Sequence, residues 1–345
     1  MLQKLELLCD AVKLGDMIER SDLVGVKTHM GEAGCTAFIP VIYVRTVVEQ
    51  VKKANGRPFV TDSNTLYVGG RAHAVAHLRT AANNGFTQET VGAPIIIADG
   101  LKGHDFEEIA VDGELLKSVK VASAAYQADA LVVISHLTGH EFLGFGGAIK
   151  NVSMGLSSRG GKQQMHSDIK PAVNRDRCTA CAKCLEWCPA GAISITGKGK
   201  EKFAKIDRSK CIGCGECTIM CFKGAIQARL SGVLENAQRK CVEYCMGILK
   251  GKENKVAYFN FLMNVTPDCD CWNYNDARAV EDIGILASRD LVAIEQASLD
   301  LLNEKSGKDF FKSIYPVVDC ASQVEYAEKM GLGSRAYELI SLDDE

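Results

Sequence analysis

Two segments of this chain carry cysteine at one spacing, C-x-x-C-x-x-C-x-x-x-C: CTACAKCLEWC from Cys178 to Cys188 and CIGCGECTIMC from Cys211 to Cys221. Eight of the 15 cysteines fall there, and sulfurs that dense must be tied to one another or to metal, which restricts the local fold more than any apolar pattern does. Composition helps to choose. The chain is 47% hydrophobic and 24% charged with a net charge of -3, the profile of a globular protein with no bias toward nucleic acid or anionic membrane. The opening MLQKLELLCDAVKLGDMIER is charged throughout and lacks the apolar core of a signal peptide, and no apolar run approaches the ~20 residues of a membrane helix. A cytoplasmic protein is expected, and in a reducing compartment clustered cysteine points to metal rather than disulfides.

Around these segments, apolar strand-like runs alternate with helix-like ones. Leu23 to Met30, Arg57 to Asn64, Ala93 to Gly100 and Ala130 to Leu137 read as strands. Pro40 to Asn55, Ala72 to Asn84 and a stretch around Ala122 to Ala128 read as helices, with a hairpin turning at Asp112 and Gly113. The same style resumes after the cysteines: helix Val233 to Leu249, strands Lys255 to Met263 and Ile283 to Ser288, and helix Leu291 to Leu302. The expected fold class is α/β, a largely parallel sheet interrupted by a small α+β module: residues 1–169 and 230–345 form the two parts of the α/β unit and 170–229 the module. Ligands of parallel sheets bind beyond the carboxyl ends of the strands, which here carry THMGEAG, TDSN, ADG and SHLTGHEFLGFGGAIKN.

The module, over about 55 residues, resembles the two-cluster bacterial ferredoxins, in which each run ligates one [4Fe-4S] cluster and lends its fourth cysteine to the other. On that pattern Cys178, Cys181, Cys184 and Cys221 hold one cluster, and Cys211, Cys214, Cys217 and Cys188 the second. Zinc is the competing reading, but zinc ribbons use paired C-x-x-C rather than four-cysteine runs. Pro189 follows Cys188 as the motif expects, whereas Phe222 follows Cys221. Two clusters in crossed ligation imply a wire for single electrons and a redox partner protein.

The phrases VKTHMGEAG, TDSNTLY, VGAPIIIADG, GHEFLGFGGAIKN, HSDIKP, TPDCDCW, DIGILASRD and EYAEKMGLGSR resemble the uncharacterised iron-sulfur-centre proteins of domain-of-unknown-function family three-six-two, over Leu23 to Leu339. That resemblance implies an α/β protein with a ferredoxin insert and no settled activity. HEFLGFGGAIK, with His166 beyond it, is similar to the active-site stretch of the nickel-pincer lactate racemases. This likeness implies His140 as a proton-transfer base, Lys150 as a cofactor or substrate anchor, His166 as a ligand, and Asp62 in a loop like the racemases' aspartate loop, with Leu66 where their arginine would stand. Residue chemistry supports the same set. Gly144, Gly146 and Gly147 can let backbone N–H groups approach an anionic ligand, Lys150 supplies a charge or an amine, and His140 titrates near neutrality. The plainer reading is a glycine turn packed on the sheet beside a surface His and Lys.

Cys269 and Cys271 in DCDCW, flanked by Asp268 and Asp270, with Cys241 and Cys245 at i, i+4 on the preceding helix, are candidates for a third metal site. Against it, helix cysteines commonly act as small buried apolar groups, and C-x-C in an extended loop points its thiols apart. Cys9, Cys35 and Cys320 read as solitary structural thiols. The function expected is iron-sulfur electron transfer, in an oxidoreductase passing electrons between two [4Fe-4S] clusters and a small molecule on the α/β unit. The alternative is a non-redox metalloenzyme or ligand-binding protein related to the racemases, with a further metal or pincer-type cofactor and clusters that are structural or redox-sensing.

Overall fold

The computed structural model describes residues 1–67, 69–166, 170–188, 190–211, 216–221, 223–228 and 234–342. Its centre is a six-stranded sheet of β1 (Leu23–Thr28), β2 (Arg57–Asp62), β3 (Ile95–Ile97), β4 (Ala130–His136), β5 (Val256–Leu262) and β6 (Gly284–Ser288), in the order β6-β5-β4-β1-β2-β3. Neighbours run parallel except β5 with β6. The mixed α/β architecture expected from the alternating runs is the one observed.

Both faces of the sheet are covered, so β4 and β5 are apolar along almost their whole length instead of alternating with polar residues. Side-chain alternation still divides them between two cores. Val24, Val26, Val132, Ile134 and Phe259 pack toward Val44, Val47, Val48 and Val51 of helix Val41–Lys53, and Leu5 of the N-terminal helix Leu2–Ala11. Leu131, Val133 and Tyr258 pack on the other side with residues of helices Ala148–Ser153, Leu234–Leu249 and Leu291–Ser306. The last helix shows how its ends are fixed: Asp290 accepts from the N–H groups of Val292 and Ala293, and Gly307 closes it in the left-handed region at φ 68°.

The hairpin around Asp112 and Gly113 pairs Phe106–Ala110 with Ser118–Ala122. The segment after β4, read from sequence as a loop, is more ordered than expected. It forms a hairpin of Thr138–His140 with Gly144–Gly146 and then helix Ala148–Ser153. Among the described residues, no helix is long and apolar enough to cross a membrane.

The cysteine module repeats in structure as it does in sequence. Short helices Lys183–Glu186 and Glu216–Met220 lie within the two runs, and the turns at Gly191 and Gly224, φ 55° and 59°, lead toward strands Ile193–Thr196 and Ile226–Ala228. Those strands pair antiparallel with Phe203–Ile206 and Pro171–Val173. The module's own core is small: Cys184, Ile193, Ala204, Cys217 and Ile226, with Cys178, Cys188 and Cys221 packed against it. Sulfur makes up much of what this module buries, and so small an apolar core needs a staple to be stable. Cys214, Pro189, Phe222 and Val233 lie outside the described residues.

Candidate functional site

Cys178, Cys181, Cys184 and Cys221 line one cavity of about 180 Å³. The loop that wraps it carries Ala180 and Ala182 at φ 53° and 63°, a left-handed backbone that L side chains adopt only at a cost of about 1–2 kcal/mol each. Backbone N–H groups point at the sulfurs: Ala204 donates to Cys178 Sγ at 3.3 Å, Ala225 to Cys221 Sγ at 3.2 Å and Ala192 to Cys188 Sγ at 3.2 Å. Among the described residues no three His, Cys, Asp or Glu side chains gather as ligands of a single ion. Thiolates are soft donors, of the kind that zinc and iron-sulfur clusters both take. Of the second set, Cys188, Cys211 and Cys217 are described and Cys214 is not.

A second polar centre lies where the parallel strands end. Lys27, near the end of β1, has its Nζ 3.1 Å from Asp62 Oδ1 at the end of β2, and donates to Asn151 Oδ1 at 2.6 Å. Arg71 bridges two carboxylates, with Nε 3.2 Å from Glu32 Oε2 and Nη1 3.4 Å from Asp62 Oδ2, and donates from Nη2 to Tyr67 Oη at 2.6 Å. His77 Nε2 is 3.7 Å from Asp62 Oδ2. Lys27, Asp62, Glu32, Arg71 and His77 are almost wholly buried, whereas Tyr67 is exposed. Burial by itself would raise the Asp62 pKa, but Lys27, His77, His29 and Arg71 together outweigh it and hold the carboxyl far below its ordinary range. Burial pushes His77 down to about 3, so its ring is neutral. Lys27, Arg71, Glu32 and Asp62 thus form a charge-balanced buried network.

Lys150, on the helix that also carries Asn151, reaches a different partner: its Nζ is 2.7 Å from Cys269 Sγ and 3.8 Å from Cys271 Sγ. Burial lowers its pKa to about 8, against the opposing charge of Asp270. The C-x-C segment is a turn, not the extended loop expected. Trp272 N donates to Cys269 O at 3.1 Å, and the Cα atoms of Cys269 and Cys271 stand 5.2 Å apart with their sulfurs joined as a disulfide. Asp270, between them, pairs with His136 Nδ1 at 2.9 Å and accepts from Cys35 Sγ at 3.9 Å, so Cys35 is not solitary. Cys241 and Cys245 stay apart from this turn, in the core, against Met165 Sδ at 3.6 Å and Ile149 O at 3.4 Å.

His140 and His166 flank Phe142, their ring centroids 6.1 and 6.2 Å from it, and the charges of Lys150 and His166 both act on His140. The sequence therefore named three residues that the fold gathers, whereas Asp62 belongs to the neighbouring network. The role expected for His140 changes. Its Nδ1 accepts from Phe142 N and Leu143 N, both at 3.2 Å, and burial keeps the ring neutral, so Nε2 carries the proton and the ring offers a donor rather than a base. His166 is arranged the opposite way, with Nδ1 donating to Lys162 O at 2.6 Å and Nε2 left as the acceptor.

A Cβ at Gly144 or Gly147 would run into Cys320 or Glu295, and one at Gly146 would stand 2.7 Å from Lys150 Cδ, so at these positions glycine allows the close approach of the neighbouring chain. Glu295 takes the Ala148 N–H at 2.5 Å and accepts from Asn260 Nδ2 at 3.0 Å, while burial raises its pKa to about 7. A carboxyl whose folded pKa is raised binds more protons folded than unfolded, so stability falls as pH rises between its unfolded value and about 7. Urea unfolding across that interval is expected to show a downward slope, up to ~1.4 kcal/mol per pH unit from this group, that Glu295→Gln removes.

Sequence reasoning missed Lys27, Arg71, Glu32 and Tyr67, and offered Asp270 only as a metal ligand beside Cys269 and Cys271. Lys27 had a signal, a lysine inside the otherwise apolar run LVGVKT. Nothing local marks Arg71.

The family model for the domain of unknown function DUF362 matches residues 24–300. Among curated proteins none matches the chain. A crystal structure of a protein from Thermotoga maritima is similar at TM-score 0.44 and 11% identity, over 89% of this chain and 59% of that one. The lactate racemase apoprotein from Thermoanaerobacterium thermosaccharolyticum is similar at TM-score 0.41 and 13% identity, over 82% of this chain and 51% of that one. The chain thus spans between half and three fifths of the length of these structures.

Proposed function

We propose that this chain, which belongs to the DUF362 family, is an iron-sulfur oxidoreductase whose cysteine module holds two [4Fe-4S] clusters and whose polar centre, beyond the carboxyl ends of β1, β2 and β4, receives a small molecule. The observation that carries this reading is the membership of one cavity: three cysteines of the first run and the last cysteine of the second, the crossed set. Cys178, Cys181, Cys184 and Cys221 would hold one cluster, and Cys188, Cys211 and Cys217, with Cys214, the other. Bound there, the clusters supply transfer of single electrons.

The chain's own groups do the rest. The Ala204, Ala225 and Ala192 N–H groups spread thiolate charge into the backbone. The Lys27, Asp62 and Arg71 network fixes the strand ends, and the His140 Nε2–H and the Lys150 ammonium are the donors nearest a molecule lodged beside them.

Anaerobic purification followed by metal and sulfide analysis tests the reading. A brown protein with about eight irons and eight inorganic sulfides per chain is expected. A colourless preparation carrying zinc, or no metal, would overturn it.

A further inference from the structure

Outside the cysteine module, the turn at Asp270 gathers two sulfurs, an amine and a backbone amide. Cys269 is 6% exposed and accepts two hydrogen bonds, from Lys150 Nζ at 2.7 Å and from the Cys271 N–H at 3.3 Å. Cys271 is the more accessible of the pair. The turn itself is held by Asp270, whose carboxylate is anchored on His136. Two donors at 2.7 and 3.3 Å on one sulfur, against the same Lys150 Nζ at 3.8 Å on its neighbour, make an asymmetric pair, in which one atom is built to carry negative charge and the other is more open to approach.

We propose that Cys269 and Cys271 form a redox-active dithiol/disulfide pair that exchanges with thiol partners, Cys271 being the entry sulfur and Cys269 the sulfur that leaves as thiolate. A partner thiolate attacks Cys271 Sγ; a bond forms between partner and Cys271, the Cys269–Cys271 bond breaks, and its electron pair stays on Cys269 Sγ. The Lys150 ammonium and the Cys271 N–H stand where that charge appears. A second partner thiolate then attacks the partner sulfur of the mixed disulfide, releasing Cys271 as thiolate, which takes a proton from solvent. In sum, two partner thiols are oxidised to one disulfide and the pair is reduced to a dithiol. Run backward, the same steps reduce a partner disulfide. Cys241 and Cys245 serve as the internal contrast: burial pushes Cys241 up to about 12 and raises Cys245 well above the ordinary thiol range, so both stay protonated and inert.

The proposal needs no iron and stands or falls apart from the cluster reading. Full-length protein equilibrated in buffers of reduced and oxidised dithiothreitol, acid-quenched, denatured and alkylated, is mapped by mass spectrometry at the peptide holding both cysteines. A reversible two-electron passage between doubly alkylated and unalkylated peptide is expected. Lys150→Met should slow exchange at least about tenfold and move the onset of Cys269 alkylation to higher pH, with Lys150→Arg restoring most of the rate. A peptide that stays wholly bonded or wholly reduced across the buffer range would overturn the proposal without reference to any variant. So would wild-type rates in Lys150→Met, or loss of iron from Cys271→Ser.

Discussion

Serine at Cys221 is expected to cost the protein the same irons as serine at Cys178, about four of about eight in either case, although the two cysteines belong to different runs. Both sulfurs line the cavity that also holds Cys181 and Cys184, whereas Cys188, from the first run, is absent from that lining. The double variants separate crossed from uncrossed ligation. Cys178→Ser with Cys221→Ser should retain about four irons, no fewer than either single change, while Cys178→Ser with Cys188→Ser should retain almost none. Iron assay of anaerobic preparations reads the result. A Cys178, Cys221 double variant that loses all its iron, with each single variant keeping half, would mean each run serves its own cluster.

Replacing Asp62 by alanine should destabilise the α/β unit by about 3–5 kcal/mol, because it leaves the Lys27 ammonium buried beside Arg71 without its carboxylate. The side chains of Lys27 and Asp62 are 1% and 4% exposed, so water cannot take over. The pH dependence has a definite sign. The folded pKa of Asp62 is depressed, so its contribution is fully present above the unfolded value near 3.9 and is lost as pH falls below that toward the folded value. Asp62→Asn should therefore flatten part of the acid limb of a stability profile measured by urea unfolding. Lys27→Met combined with Asp62→Leu should recover much of the loss, since a buried pair exchanged for apolar groups is often neutral. If Asp62→Ala unfolds within about 1 kcal/mol of the wild type, the network does not hold the strand ends together.

Much of the sheet was legible because its signals are local. Leu23 to Met30 and Ala130 to Leu137 are apolar runs that only a covered parallel strand accommodates, and the observed strands Leu23–Thr28 and Ala130–His136 lie inside them. The segment after β4 was read as a loop but forms a hairpin and a helix, because Gly144 and Gly147 pack closely on Cys320 and Glu295, neighbours far away in sequence that no local signal announces. The candidate site divides in the same way. His140, Lys150 and His166 were recognisable from one stretch of chain, while Arg71 acquires meaning only through Asp62 and Glu32.

Repetition and periodicity need no knowledge of the rest of the molecule, and from them alone came the α/β class, the inserted module and its paired cysteine runs. Strand order decided everything that depends on meeting across the sheet: that Lys27 finds Asp62, and that Lys150 lies against Cys269, 119 positions along the chain. The physical reason is range. A turn or a helix face is set by neighbours a few residues apart, whereas a buried charge takes its partner from whichever strand end the packing brings alongside it.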